Sequence, residues 1–230
     1  AHVTEHMMFK GTPSVGPGEF NRRVAAVGGR DNAFTSTDYT AYFQQVPANQ
    51  LKTVMALEAD RMRHLTLDPA GYSKEIQVVM EERRMRTDDQ STARLHEAMN
   101  AVAWQAHPYR RPIIGWMGDL EQMTVQDIRD WYRRWYVPNN ATLVVVGDVN
   151  HAQVFAWARD TYGRIPARSL GERKQYEEPV QTGLRQLEVK APADLPLLIM
   201  GWKAPRVSDP QKDIDPYALE MLAQILDGHE

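Results

Sequence analysis

Two histidines and a glutamate stand together near the beginning of the chain, as His2, Glu5 and His6 in the pattern H-x-x-E-H. On a helix each residue advances about 100°, so His2 and His6 stack one turn apart, roughly 6 Å from each other, with Glu5 to the side. Two neutral imidazoles so placed can grip one Zn²⁺ ion, and a carboxylate beside them can reach a water on the ion without being a ligand itself. The same residue types also allow a plainer reading, surface histidines that happen to lie near a glutamate. A catalytic zinc wants a third protein ligand. The segment KEIQVVMEERRMR offers Glu75 and Glu82, seven residues apart and hence within about 20° of the same helical face. The row Glu75, Val78, Glu82, Met85 is expected to face inward, and a buried carboxylate needs a cation to offset its desolvation. Two turns separate the two glutamates by about 10 Å, so one is expected as ligand and the other as its support. A solvated charged helix, with Glu81, Arg83, Arg84 and Arg86 pairing along it, is the competing account.

The elements that must carry these residues read as mixed α and β. GTPSVGPG is a loop, and EFNRRVAAV a short helix with Phe20, Val24 and Val27 on one face. NAFTST and YTAYFQQV, rich in aromatic and β-branched residues, suggest adjoining strands. Helices are expected over about 49–67, 71–87, 91–106 and 125–136, the last opened by a Thr124/Asp127 capping box. ATLVVVGDV reads as a buried strand, followed by a helix ending near Gly163. LRQLEVK and LPLLIMGW read as two further strands before a helix starting near Asp215. Tyr39, Tyr42 and Phe43 are expected as core or strand-face aromatics, and Met7, Met8 and His107 as packing residues.

Composition bounds the rest. With 230 residues, 43% hydrophobic and 25% charged, and a net charge of −3, the chain reads as globular, with no electrostatic case for nucleic acid. No apolar run approaches membrane-spanning length. The absence of cysteine excludes disulfides and thiolate ligands, so any metal is held by nitrogen and oxygen. The opening lacks the basic and apolar segments of a signal peptide, yet does not begin with Met and reads as cut.

Taken together, these stretches resemble the M16 zinc metallopeptidases, the pitrilysin, insulinase and mitochondrial processing peptidase family. Its signature is the inverted motif H-x-x-E-H, followed about 76 residues later by a glutamate that itself lies seven residues after another. Glu82 is 76 residues beyond His6 and seven beyond Glu75. The resemblance extends through HMMFKGT, GGRDNAFTSTDYTAYF, HPYRRPIIG, YVPNNATLVVVGDV and GWKAPRVSDPQKDIDPYALEMLAQIL, nearly end to end. It implies an α+β fold with a mixed or antiparallel sheet packed against helices. It implies that His2, His6 and Glu82 hold one Zn²⁺, that Glu5 is the general base and that Glu75 supports the site. It implies that Asn32, Ala33, Phe34, Thr35 and Ser36 form an edge strand that pairs with an extended peptide substrate.

The resemblance further implies a zinc-binding domain over 1–167 that lacks its first strands, a linker over 168–183, and the opening of a second, zinc-free repeat over 184–230. The chain then reads as a fragment. A second half or a partner subunit is expected to close over the substrate, and a fragment alone is expected to be weakly active or inactive. The implied function is zinc-dependent endopeptidase. The alternative is a noncatalytic, peptide-binding or assembly subunit of the same family, and a third reading is a hydrolase of similar fold acting on a small thioether. Localisation is unreadable from the residues, and the periplasm or cell envelope is implied by resemblance alone.

Overall fold

The computed structural model describes residues 1–172 and 174–227 and divides into two compact units, Ala1–Pro192 and Ala193–Glu230. The first unit begins with the six-residue helix α1 (His2–Met7) and continues through α2 (Glu19–Ala26) into a hairpin of β1 (Arg30–Thr35) and β2 (Thr40–Gln45). The helices α3 (Leu51–His64), α4 (Pro69–Arg83), α5 (Ser91–Ala103), α6 (Met117–Gln122), α7 (Val125–Trp135) and α8 (His151–Asp160) follow. The second unit contains α9 (Asp215–Asp227). Among the described residues, no helix is long and apolar enough to cross a membrane.

A helix as short as α1 is unstable on its own and must be held by tertiary packing. Val3 and Met7, four residues apart on one face, sink into a core made by Tyr72, Ile76, Val79 and Met80 of α4, Leu120 of α6 and Ile128 of α7. Burying each of these two side chains contributes about 1.5–3 kcal/mol. The helix is followed by a tight turn at Gly11, whose φ of +91° and close approach to the Val15 carbonyl leave no room for a side chain.

The long helix α4 starts where the chain supplies both signals for a start. Pro69 takes the first position, and the Asp68 carboxylate accepts from the Gly71 N–H at 2.8 Å. Its inward stripe is Tyr72, Ile76, Val79, Met80 and Arg83, with Glu75 buried at the edge. The expected inward row is therefore corrected in part, since Val78 and Met85 are 51% and 61% exposed. The physical reason is angular: the apolar stripe centres near Val79, which puts Glu75 and Glu82 on its flank and turns Val78 and Met85 further towards solvent.

Immediately beyond Arg83 the helix widens into a π-turn over Arg84–Asp88, with Asp89 N–H donating to the Arg84 carbonyl at 2.8 Å. Such widened turns are rare and collect at functional sites. The capping box at Thr124 and Asp127 opens α7 as expected. The helix α6, only six residues long, has no counterpart among the expected elements.

The β1/β2 pair is antiparallel, with Asn32 opposite Phe43, Phe34 opposite Ala41 and Thr35 opposite Thr40. Its inner face carries Asp31, Ala33, Thr35, Tyr42 and Gln44. Phe34 and Phe43 lie on the outer face, and they and Tyr39 are largely exposed, so of the three expected core or strand-face aromatics only Tyr42 turns inward. A second core, of Val15, Phe20, Val24, Val54 and Leu57, packs α2 against α3.

Three expected strands do not form among the described residues. ATLVVVGDV, LRQLEVK and LPLLIMGW have no ladder partner, and Val144 and Val146 are 75% and 92% exposed. Apolar β-formers make a strand only where a neighbour supplies the other half of each hydrogen-bonded pair.

Candidate metal centre

The packing of α1 on α4 brings the two motifs together. His2, His6 and Glu82 each offer one ligand atom, and the three atoms lie within 4.8 Å of one another. Glu82 Oε2 is 3.3 Å from His6 Nε2 and 3.8 Å from His2 Nε2. Ligands at about 2.0–2.1 Å around a tetrahedral Zn²⁺ are roughly 3.3 Å apart, so two imidazole nitrogens and a carboxylate oxygen with this spacing fit the ion. Burial, with the neighbouring His6 ring adding to it, pushes His2 down to about 4 against the opposing pull of Glu82, so the His2 ring is neutral near pH 7 with a lone pair to donate.

Glu75 stands behind His6. Its Oε1 is 3.0 Å from His6 Nδ1, and its Oε2 meets the ammonium of Lys10. With the Nδ1 proton held by the carboxylate, the His6 lone pair sits on Nε2, the nitrogen that faces Glu82. The His2 ring lacks equivalent support: its Nδ1 is buried with no hydrogen-bond partner among the described residues.

Glu82 is held on its other oxygen by Arg86, 2.8 Å away and one turn on. The residue next to it is anchored too, because the Arg83 guanidinium makes two 2.8 Å hydrogen bonds to the Glu97 carboxylate of α5 and a third to the Gly115 carbonyl. This pairing raises Arg83 above its usual range and fixes the end of α4. Lys10 is the partner that sequence reasoning missed. It follows the end of α1, outside the helical geometry used to line up His2 and His6, and its one signal is a cation a turn beyond His6.

Glu5 is buried, and its Oε2 accepts a hydrogen bond from Thr35 Oγ1 at the end of β1, at 2.5 Å. His2, Glu5, His6 and Glu82 open onto a cleft of ≈ 640 Å³, whose lining also includes Asn32, Ala33, Phe34 and Thr35 of β1 and the segment from Arg110 to Ile114. Ser36 is not part of this lining. It closes the hairpin by donating its N–H to the Tyr39 carbonyl at 2.8 Å. In an antiparallel ladder bonded pairs alternate, so this closure assigns Phe34 and Asn32 to the side bonded to β2 and turns the N–H groups of Ala33 and Thr35 to the opposite edge. The Ala33 N–H is taken there by the Asn32 side-chain oxygen at 2.9 Å.

The family model described as insulinase (peptidase family M16) matches residues 1–116. The chain belongs to peptidase family M16. A second model, the M16 inactive domain, matches residues 122–230. Among M16 relatives, zinc protease PqqE of Helicobacter pylori is 35% identical over 98% of this chain and 51% of its own length. The chain thus spans about half of that relative. The crystal structure of a protease from Helicobacter pylori superposes with a TM-score of 0.75 at 35% identity, covering 78% of this chain and 44% of the other. That of the periplasmic protease PqqL from Escherichia coli gives 0.69 at 29% identity, over 78% and 20%. These M16 structures share the α+β fold described above.

Proposed function

We propose that the full-length protein is a zinc-dependent endopeptidase that cleaves peptides or unfolded segments, with His2, His6 and Glu82 holding the metal and Glu5 as general base. The observation that carries this reading is the meeting of three ligand atoms within 4.8 Å, beside Glu5, in a cleft walled by β1. Bound by this donor set, Zn²⁺ supplies a Lewis acid that brings the pKa of a water towards about 7 and polarises a carbonyl. Glu5 takes a proton from the attacking water as the water oxygen bonds to the peptide carbon. The same carboxyl returns that proton to the amide nitrogen as the C–N bond breaks, leaving a carboxylic acid, which keeps the other water proton, and an amine. Glu75 keeps the His6 tautomer and ring orientation, and Lys10 and Arg86 offset the negative charge of the carboxylates around the site. The outward edge of β1 receives the substrate as an added strand through main-chain hydrogen bonds, which suits many extended sequences.

We propose that the site belongs to a domain over 1–167 and that 184–230 opens a second repeat, which has no H-x-x-E-H motif. A second half or partner subunit closes the cleft. The test is Glu5→Gln in the full-length protein, with cleavage of a fluorescence-quenched unstructured peptide and zinc content measured side by side. Cleavage is expected to fall by about 10²–10⁴-fold with zinc content unchanged. A variant that cleaves as the parent does, or a parent that holds no zinc after gentle purification, overturns the reading.

A further inference from the structure

Thr35 occupies a position that neither the zinc ligands nor the general base accounts for. Its side chain is on the inner face of β1, where Oγ1 donates to Glu5 Oε2, and its backbone N–H is on the outward edge. One residue therefore touches both the base and the edge along which a substrate strand is expected to lie. A threonine hydroxyl has a single proton. Since that proton goes to Glu5, the 3.1 Å contact between Thr35 Oγ1 and Thr40 Oγ1, its cross-strand partner, is donated by Thr40. Thr40 thus donates to Thr35, and Thr35 donates to the Glu5 carboxylate, which accepts.

We infer that Thr35 is a positioning residue that fixes the Glu5 carboxylate and ties it to the substrate-bearing strand, with Thr40 setting the direction of the Thr35 hydroxyl. This rests on the proposed role of Glu5 and on peptide addition to β1. With Oε2 occupied by the Thr35 hydroxyl, Oε1 is the oxygen left to take and return the proton. A carboxylate free to rotate about its last bond divides its time among orientations, whereas a clamped one is ready in each cycle. A peptide that pairs with β1 stiffens the strand, and the Thr35 hydroxyl passes that order to Glu5. Correct registration of the substrate and readiness of the base then arise together.

The experiment uses the full-length, zinc-loaded protein carrying Thr35→Val, Thr35→Ser, Thr40→Val or Glu5→Gln, with the parent beside them. Valine keeps the branched shape that suits a strand and removes only the hydroxyl. Thr35→Val is expected to lower kcat by about 10–100-fold, the range seen when a supporting hydrogen bond is removed. KM should stay within about twofold and zinc content should be unchanged. Thr35→Ser restores most of the rate, and Thr40→Val falls between. A crystal structure of Thr35→Val supplies a readout independent of turnover, in which the Glu5 carboxylate leaves its place beside residue 35. The inference is overturned if Thr35→Val retains the parental kcat, if Thr35→Ser is as slow as Thr35→Val, or if Glu5 keeps its orientation in the valine variant. If Glu5→Gln itself remains active, the general-base reading falls and takes this inference with it. If Glu5→Gln is dead and Thr35→Val is normal, only the inference falls.

Discussion

Each carboxylate at the centre is held by a partner: Glu5 by Thr35 and Glu82 by Arg86 on one oxygen each, and Glu75 on both, by His6 and Lys10. Glu75 is the most direct to test, since it can be altered without removing a proposed ligand. Glu75→Gln keeps the shape and loses the charge on which both His6 and Lys10 depend. Zinc affinity is expected to weaken by about 10–100-fold, measured by competition with a chelator of known affinity. Lys10→Met should act in the same direction and more weakly. An unchanged affinity in Glu75→Gln would remove Glu75 from the account of the site. That His2 and His6 would stand together was legible from helical period, and that Glu82 would join them from the separation the family resemblance implies, both one-dimensional facts. Lys10 and Thr35 act from outside the helices of the motif, where spacing along the chain says little about distance in space.

At the level of elements, α1 is held by α4 through Val3 and Met7, and Met7 is fully buried. Met7→Ala is expected to cost about 2–5 kcal/mol in denaturant unfolding and to weaken zinc binding as well, since α1 presents both histidines. Full stability in that variant would mean that α1 is fixed by something other than this core. The hairpin is tied to the end of α7 by a different bond, between the hydroxyls of Tyr42 and Tyr136, 2.6 Å apart. Burial raises Tyr136 to about 12 and lifts Tyr42 well above its ordinary value. Burial likewise raises Tyr132 to about 12. These phenols stay neutral in the folded chain while an unfolded one ionises near pH 10. Their contribution is fully present below about pH 10 and is lost as pH rises towards about 12. Unfolding free energy measured across that interval should fall, and Tyr136→Phe should flatten the fall. Parallel curves for parent and variant would exclude Tyr136 as a source. The hairpin was legible from its aromatic and β-branched residues, but its bond to the end of α7 was not, because a tyrosine in a strand pattern does not say which helix lies beneath it.

For the molecule as a whole, the contrast between Thr40–Gln45 and ATLVVVGDV shows where reading a sequence stops. Both are rich in β-formers, yet only the first has a partner in register among the described residues. A strand is a property of two segments, and composition describes one. The proposed metal centre has the same character, because its candidate donors come from α1 and from a residue 76 positions beyond His6, so an ion held there would stabilise only chains in which those elements have docked. A ligand that binds the folded state alone adds RT ln(1 + [L]/Kd) to stability, or about 4 kcal/mol at free zinc a thousandfold above Kd. Removing zinc from the full-length protein with a chelator is therefore expected to lower its unfolding midpoint, and adding zinc back should restore it. Glu5→Gln should show the parental shift, since Glu5 is not a proposed ligand. His6→Ala should show little or none. A zinc-dependent midpoint that survives in His6→Ala would place the stabilising ion elsewhere in the protein, and a parent indifferent to chelation would mean that α1 and α4 dock without help from the metal.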